Sequence, residues 1–490
     1  MLILLEITRK SHQLALVGSS FGGEVLLIAP FLSLCKGLSL QSEGERSIIS
    51  APSRAGAVIM NYTICAALVI FLVTYALIVS EKVNRTVIAL FGAMMMVLTG
   101  VITQEQAIAH IDFNTLALLI GMMIQVLILS KTGLFKFLSV WAAQKTQGNP
   151  IALLISLSVI VAICSALLDN VTTVLLTVPV TFALTKDLRI SPVPFVMAQI
   201  FASNIGGTAT MIGDPPNIMI ASAVKELDFM SFVRVLALPC VVIFVLTMAL
   251  IILIYRKELS KSGTRRQRIM NIKTQGLIRS KAMLQRSLFT LGVTVILFCS
   301  HGQIPGWTLE SGTIAVTGAS LLMLMTMPGR ERVLERVFSQ VEWITIFFFI
   351  GLFVLVGGLE VNGIINWLAA QAMELTGGNP TATTMTVLGM SAVMSSFVDN
   401  IPFVATMIPL IKDMGAMGYG DLEPLWWALS LGACLGGNGT VVGASANVVA
   451  LALARKHNLV VTFFGFMKVA YPLMLLSIAI AAVYLWLRFL

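Results

Sequence analysis

Apolar residues in this chain arrive in runs long enough to cross a lipid bilayer, and that narrows its fold more than any other feature. The runs are Ala57–Val79, Thr86–Val101, Thr115–Leu129, Ile151–Leu168, Val233–Ile254, Leu288–Cys299, Thr313–Met327, Ile344–Leu359 and Ala470–Leu487. Several approach the roughly 20 residues a helix needs to traverse the hydrocarbon layer. Lipid offers a bare backbone no hydrogen bonds, and barrel strands would read as short alternating segments, so these runs are helices. Charged residues make up 11% of the chain, where a soluble domain carries about a quarter. The expectation is an all-α membrane protein with about 11–12 transmembrane helices.

The net charge of +9 does not signal nucleic-acid binding, because the excess is concentrated in one interval. Arg256, Lys257, Lys261, Arg265, Arg266, Arg268, Lys273, Arg279, Lys281 and Arg286 face a single acid, Glu258. A basic loop between apolar spans marks a cytoplasmic face. The six cysteines (Cys35, Cys65, Cys164, Cys240, Cys299 and Cys434) are scattered, with no C-x-x-C, and fit core packing better than a disulfide framework or zinc site. Residues 1–55 form an extension in which Leu14–Leu34 is apolar enough for one extra span, though Glu24 weakens it. No small-residue cleavage site marks a signal peptide there, and Met60 offers a more ordinary start.

A repeat organises the rest. L-L-D-N-V-T-T-V-L-L-T-V-P around Asp169 and F-V-D-N-I-P-F-V-A-T-M-I-P around Asp399 lie 230 positions apart. The same offset carries Gly121 to Gly351, Gly148-Asn149-Pro150 to Gly378-Asn379-Pro380, the segment Gly206–Gly213 to Gly436–Gly443, and Asn217 to Asn447. Shared apolar composition matches Leu to Ile, but it does not keep D-N, G-N-P and G-G in register over about a hundred residues. The chain divides into a first repeat at 56–255, a basic linker at 256–286 and a second repeat at 287–490. Lys131, Lys136 and Lys145 follow one span of the first repeat, whereas the matched stretch of the second carries Glu360 and Glu374. After another matched span the bias reverses, from Glu226 and Asp228 to Arg455, Lys456 and Lys468, with Arg234 dissenting. Positive charge that changes sides means inverted repeats, a plan common among secondary transporters.

An aspartate at bilayer depth costs about 2.5–3.5 kcal/mol on insertion scales and needs a reason to be there. Polar residues gather at four places. Asp169-Asn170 and Asp399-Asn400 each follow a span and precede an apolar stretch closed by Pro179 or Pro409, which reads as a re-entrant hairpin with the polar pair at its tip. Ser203–Asn217 and Gly436–Asn447 interrupt apolar runs with adjacent glycines, and the first adds Pro215-Pro216, so both read as broken helices. Unwound carbonyls suit a cation, and half-helix N-termini suit an anion. A purely structural role, with glycines for close packing and amides bonded to backbone, accounts for one such break more readily than for two symmetric pairs. Asp214 has Ala444 as its counterpart, and as an unmatched carboxylate it fits either a cap on the half-helix after it or a proton or sodium site.

At these motifs the chain resembles the P-protein branch of the ArsB/NhaD permeases, within the ion transporter superfamily. The carriers are L-D-N-V-T-T-V-L-L, N-I-G-G-T-A-T-M-I-G-D-P-P-N, D-N-I-P-F-V-A-T-M-I-P and G-A-C-L-G-G-N-G-T-V-V-G-A-S-A-N-V-V. The likeness implies an elevator-type scaffold, a site built from two hairpins and two broken helices, and a homodimer. It leaves the substrate among sodium and protons, arsenite or antimonite, and chloride or organic acids.

The expected site places Asn170, Thr172, Asn204, Gly207, Thr208, Thr210 and Asn217 opposite Asn400, Gly437, Asn438, Thr440 and Asn447. Asp169, Asp399 and Asp214 handle a coupling cation, Na+ or H+, with no resident cofactor or metal. Three acids with no buried basic partner in view tilt the expectation toward sodium/proton antiport at the cell membrane. Anion transport is the alternative, and a passive channel a weaker one. No H-E-x-x-H, G-x-S-x-G or G-x-x-x-x-G-K-[ST] string occurs, which argues against an enzyme and against ATP-driven pumping by this chain, and leaves a separate ATPase partner open.

Overall fold

The computed structural model describes residues 62–80, 82–260, 276–300, 309–327, 329, 331–457, 459 and 461–490. The expected extension at 1–55, with its extra span, lies outside them. Every regular element described is a helix. The first repeat contributes α1 (Tyr62–Ser80), α2 (Arg85–Leu98), α3 (Gln104–Ala109), α4 (Phe113–Ser130), α5 (Leu134–Lys145), α6 (Pro150–Leu167), α7 (Asn170–Leu188), α8 (Val193–Thr208), α9 (Pro215–Ala223) and α10 (Phe229–Ile254). After the short α11 (Arg256–Leu259), the second repeat runs through α12 (Lys281–Ser300), α13 (Ser311–Thr326), α14 (Glu331–Phe338), α15 (Trp343–Val361), α16 (Ile364–Thr376), α17 (Pro380–Phe397), α18 (Asn400–Ala416), α19 (Glu423–Gly436), α20 (Ser445–Lys456) and α21 (Phe463–Phe489).

Among the described residues, α1, α4, α6, α7, α10, α12, α15 and α21 are long and apolar enough to span a membrane, and α2 and α13 are shorter apolar helices. The breaks appear where glycine and proline demand them, at 209–214 between α8 and α9 and at 437–444 between α19 and α20. Pro179 and Pro409 do not close their segments as expected: α7 runs on to Leu188 and α18 to Ala416. A proline inside a packed helix is tolerated where neighbouring groups take up the freed backbone. The helix α12 also begins at Lys281, inside the stretch expected to be linker.

Contacts fix the directions of these helices. Gly206 packs on Ala162 and Gly436 on Ala392, so close that an added Cβ would meet the facing carbonyl oxygens at 2.3 and 2.5 Å. One turn further on, the Thr210 hydroxyl donates to the Ala166 carbonyl and Thr440 to Ser396, with partners again 44 residues apart. Sequence number rises together on both sides of each contact, so α6 runs parallel to α8, and α17 to α19. The intervening α7 and α18 must therefore run back, which makes α6–α7 and α17–α18 helical hairpins. Their tips, at Asp169 and Asp399, lie level with the helix breaks.

The repeats then meet reciprocally. The Asn204 amide donates to Asn447 at 2.9 Å, and the equivalent pair, Cys434 and Asn217, lies at 3.6 Å. Reciprocal contact of this kind is the signature of a two-fold axis. Asn204 also meets Asn438 while Asn217 meets Ser430, so α8–α9 and α19–α20 run in opposite directions, as inverted repeats require. Residues Met60–Leu490 form one compact unit in which the repeats interlock.

The linker's far end docks on the first repeat. The Arg279 amide donates to the Thr132 carbonyl at 2.9 Å. Beside it Gly133 has φ +87°, and a Cβ there would lie 2.1 Å from the Leu277 carbonyl oxygen. Gly133→Ala combines left-handed strain with that overlap and should destabilise the protein by about 1–3 kcal/mol. A fall in the melting temperature of the detergent-solubilised protein checks this.

Candidate functional site

Four half-helix or hairpin N-termini converge where the repeats meet, and three of them begin at an aspartate. Asp169 caps α7, accepting from the Thr172 amide at 2.9 Å and its hydroxyl at 2.8 Å. Asp399 caps α18 through the Ile401 amide at 3.2 Å. Asp214 stands at the equivalent position before α9 but caps nothing. Pro215 and Pro216 follow it and offer no N–H, and the next amide, Asn217, donates to the Asp214 backbone carbonyl at 3.0 Å instead. Its carboxylate accepts from the Asn400 amide at 3.3 Å through Oδ1, and Oδ2 has no partner although the residue is only 1% exposed. The sequence left capping and ion handling open for Asp214; the cap is not made, and the Cys434 thiol lies within reach of the same carboxylate.

Asp169 and Asp214 line a cavity of about 490 Å³ between the repeats, together with Asn170, Asn400, Ser445, Glu342 and Arg85; Asp399 is tied to its wall through Arg85 and Ser445. Asn170 is bonded through its Nδ2 to Asn204 at 3.3 Å, and its buried Oδ1 is unpartnered. Asn204 continues the chain of amides across the interface to Asn438 and Asn447, both at 2.9 Å. Asn438 Nδ2 is also left without a partner. Buried polar groups are almost always satisfied; Asn170 and Asp214, which line the cavity, are two of the exceptions among the described residues.

The other expected residues act as struts. The Asn217 amide donates to the Thr208 and Thr210 carbonyls at 3.0 and 2.9 Å, and Asn447 donates to Gly437 and Thr440 at 2.8 and 2.9 Å. Each of these carbonyls, at the end of a half-helix or in the break beyond it, thus already accepts one hydrogen bond. The hydroxyls of Thr208, Thr210 and Thr440 bond backbone within the fold, and Thr172 serves the cap of Asp169. Gly207 and Gly437 allow the broken segments to fold back, since a Cβ would meet the Gly213 and Gly443 carbonyl oxygens at 2.6 and 2.9 Å.

Two charged residues in the cavity wall were not anticipated. Arg85, at the start of α2, donates to Asp399 and, at 3.0 Å, to Ser445, and its guanidinium lies 5.0 Å from the centre of the Phe348 ring. Ser445 in turn donates to Asp399 at 2.9 Å. Asp399 therefore has a basic partner, contrary to the expectation that none of the three acids would. Glu342 enters from the start of α15, accepting from Thr345 at 3.3 Å. Its counterpart under the repeat is Asp112, an acid at a helix start in both halves, and that was the one available signal. No group of His, Cys, Asp and Glu suited to a metal ion occurs among the described residues.

Comparison with known proteins agrees with this architecture. The citrate transporter family model (CitMHS) matches residues 75–432. An uncharacterised transporter of Mycobacterium tuberculosis H37Rv is 41% identical over 429 residues, covering 86% of this chain and 98% of the relative. The human P protein is 34% identical over 491 residues, covering 84% of this chain and 58% of P protein, so the chain spans less than two thirds of that relative. The crystal structure of the Alcanivorax borkumensis YdaH transporter superposes with a TM-score of 0.53 at 12% identity, covering 88% of this chain and 99% of that one; at that identity the likeness concerns the fold. With a family model across most of its length and a full-length relative well above 30% identity, this multi-pass membrane transporter belongs to the citrate transporter family.

Proposed function

We propose that the protein is a secondary transporter exchanging sodium for protons through the cavity between its repeats. One observation carries the reading: Asp214 and Asn170 line the same cavity, and each keeps a buried side-chain oxygen, Oδ2 and Oδ1, that has no hydrogen-bond partner. Hard monovalent cations and protons seek such oxygens. Asp169 and Glu342 line the same cavity, while its one arginine is held by Asp399. An anion entering there would meet three carboxylates. The helix N-termini that would attract it are already faced by aspartates at three of four places, Ala444 being the exception.

In this reading Asp214 alternates between sodium and a proton, and Asp169, Asn170 and Asn400 complete the site. The hairpins enter the bilayer from one face each and turn back. They move with the broken helices against the remaining spans. One charge crossing 100 mV is worth about 2.3 kcal/mol, enough to drive modest accumulation. The basic end of the molecule, where Arg279 meets Thr132 beside Lys131, faces the cytoplasm of a cell-membrane protein. The least buried spans, α1 and α12, meet lipid or a second copy in a homodimer.

Arg85 supports a second reading, transport of a carboxylate, because a guanidinium in the cavity wall matches a carboxylate in fork geometry and the family model is described as a citrate transporter. Proteoliposomes loaded with a pH-sensitive dye separate the two. Sodium or lithium added outside should drive protons the other way in the first reading. Proton movement indifferent to sodium and lithium but responsive to citrate would establish the second.

A further inference from the structure

A second cavity, of about 240 Å³, lies at the opposite end of the helices that build the first. The first cavity meets α15 at its start, Trp343–Thr345, and the second meets it at Phe353 and Glu360 near its end. On α18 the first touches Ile401 and the second Ala405; on α9 the first touches Pro215 and the second Met219. Four residues of helix rise about 6 Å, so a plug roughly one turn thick parts the two. Val404 and Ile218, between these positions, are 0% and 4% exposed.

The repeat relates the two spaces. Asp112, Met219 and Phe353 line the second cavity, and the residues 230 positions from them, Glu342, Val449 and Met123, line the first. They are thus one feature in two states: deep and reaching Asp169, Asn170 and Asp214 on one side, shallow and ending on Ala405 and Met219 on the other. At the shallow mouth His110 Nε2 lies 3.8 Å from Glu360, with Asp112 and Lys412 on the same wall.

We propose that this second cavity is the other mouth of the transport route, an aqueous vestibule for a hydrated monovalent cation or proton. It opens onto the same site when α9 and α18 shift and the one-turn plug parts. The Glu360 carboxylate receives the cation there, Asp112 adds its negative charge while its oxygens cap α4 through Asn114 and Thr115, and Lys412 and His110 keep the mouth from holding it. The identity of the ion rests on the exchange reading above; the existence of the second mouth does not.

Cysteine labelling tests it without any transport measurement. In a full-length chain with its six native cysteines replaced, Ser339→Cys reports on the first cavity and Ser222→Cys on the second, both reconstituted in vesicles of known orientation. A membrane-impermeant, negatively charged thiosulfonate is offered from one face or the other, and the adduct is read as a mass shift. The expected result is labelling of the two positions from opposite faces. Labelling of both from the same face, or no labelling of Ser222→Cys from either, overturns the proposal. Lys412→Cys, at the rim, guards against a variant that fails to insert: if it labels from the face that reaches Ser339→Cys, the proposal falls as well. Absence of sodium-driven proton flux in the same vesicles would remove the exchange reading and leave the labelling result standing.

Discussion

Asp214→Asn should abolish sodium-coupled proton flux at sodium concentrations that saturate the native protein, while leaving the fold intact. Asparagine keeps the shape and the acceptor that Asn400 uses at 3.3 Å. It removes the charge and the only buried carboxylate oxygen in the site without a partner. A contact of this kind to an ion is worth about 1.5–3 kcal/mol, hence roughly ten- to a hundredfold in apparent sodium affinity. Loss of the exchangeable proton then stops coupled exchange altogether. Flux measured beside a size-exclusion profile checks both halves of the expectation. Native flux in the mutant would move the coupling ion to Asp169 or Glu342.

Arg85→Ala should be the most destabilising single change at the site. Asp399 is 7% exposed, and removing its partner leaves an uncompensated buried carboxylate, which costs about 3–5 kcal/mol. The lower end applies, because the guanidinium is 32% exposed and water screens part of the pair. The second change Asp399→Asn should restore most of the lost melting temperature, since a neutral amide needs no counter-charge and can still meet Ser445. Failure of the double mutant to recover would mean that Arg85 acts through its packing on Phe348 rather than through the ion pair. If the carboxylate reading held instead, Arg85→Ala would also end transport, and Asp399→Asn would not restore it.

How far the molecule could be read from its sequence depended on what the repeat touched. D-N, G-N-P and G-G recur at one offset, so the helix pairs that turn at Asp169 and Asp399 and the two broken helices were legible, though not the length of α7 and α18 beyond Pro179 and Pro409, and their opposed orientation was legible from the loop charges. Individual roles inside the breaks were not. Asn217 and Asn447 look like ligands in the sequence, and in the fold the amide of each braces two backbone carbonyls, a bond that has no mark of its own in the sequence. Asp214 could be singled out by its missing counterpart, but only the geometry shows its carboxylate turned away from its own helix. Arg85 had no signal at all. It lies outside the ungapped part of the repeat, its counterpart is Ala315, and its partner is 314 residues away.

Binding linked to stability tests most directly whether the inter-repeat cavity binds sodium in competition with a proton. A species that binds only the folded state raises stability with its concentration, and a carboxylate holds sodium only when it is deprotonated. Melting temperature of the purified protein should therefore rise with sodium chloride but not with choline chloride, and the rise should grow as pH increases. Asp214→Asn should remove it. A melting temperature that ignores sodium at every pH yet climbs with citrate would contradict the account.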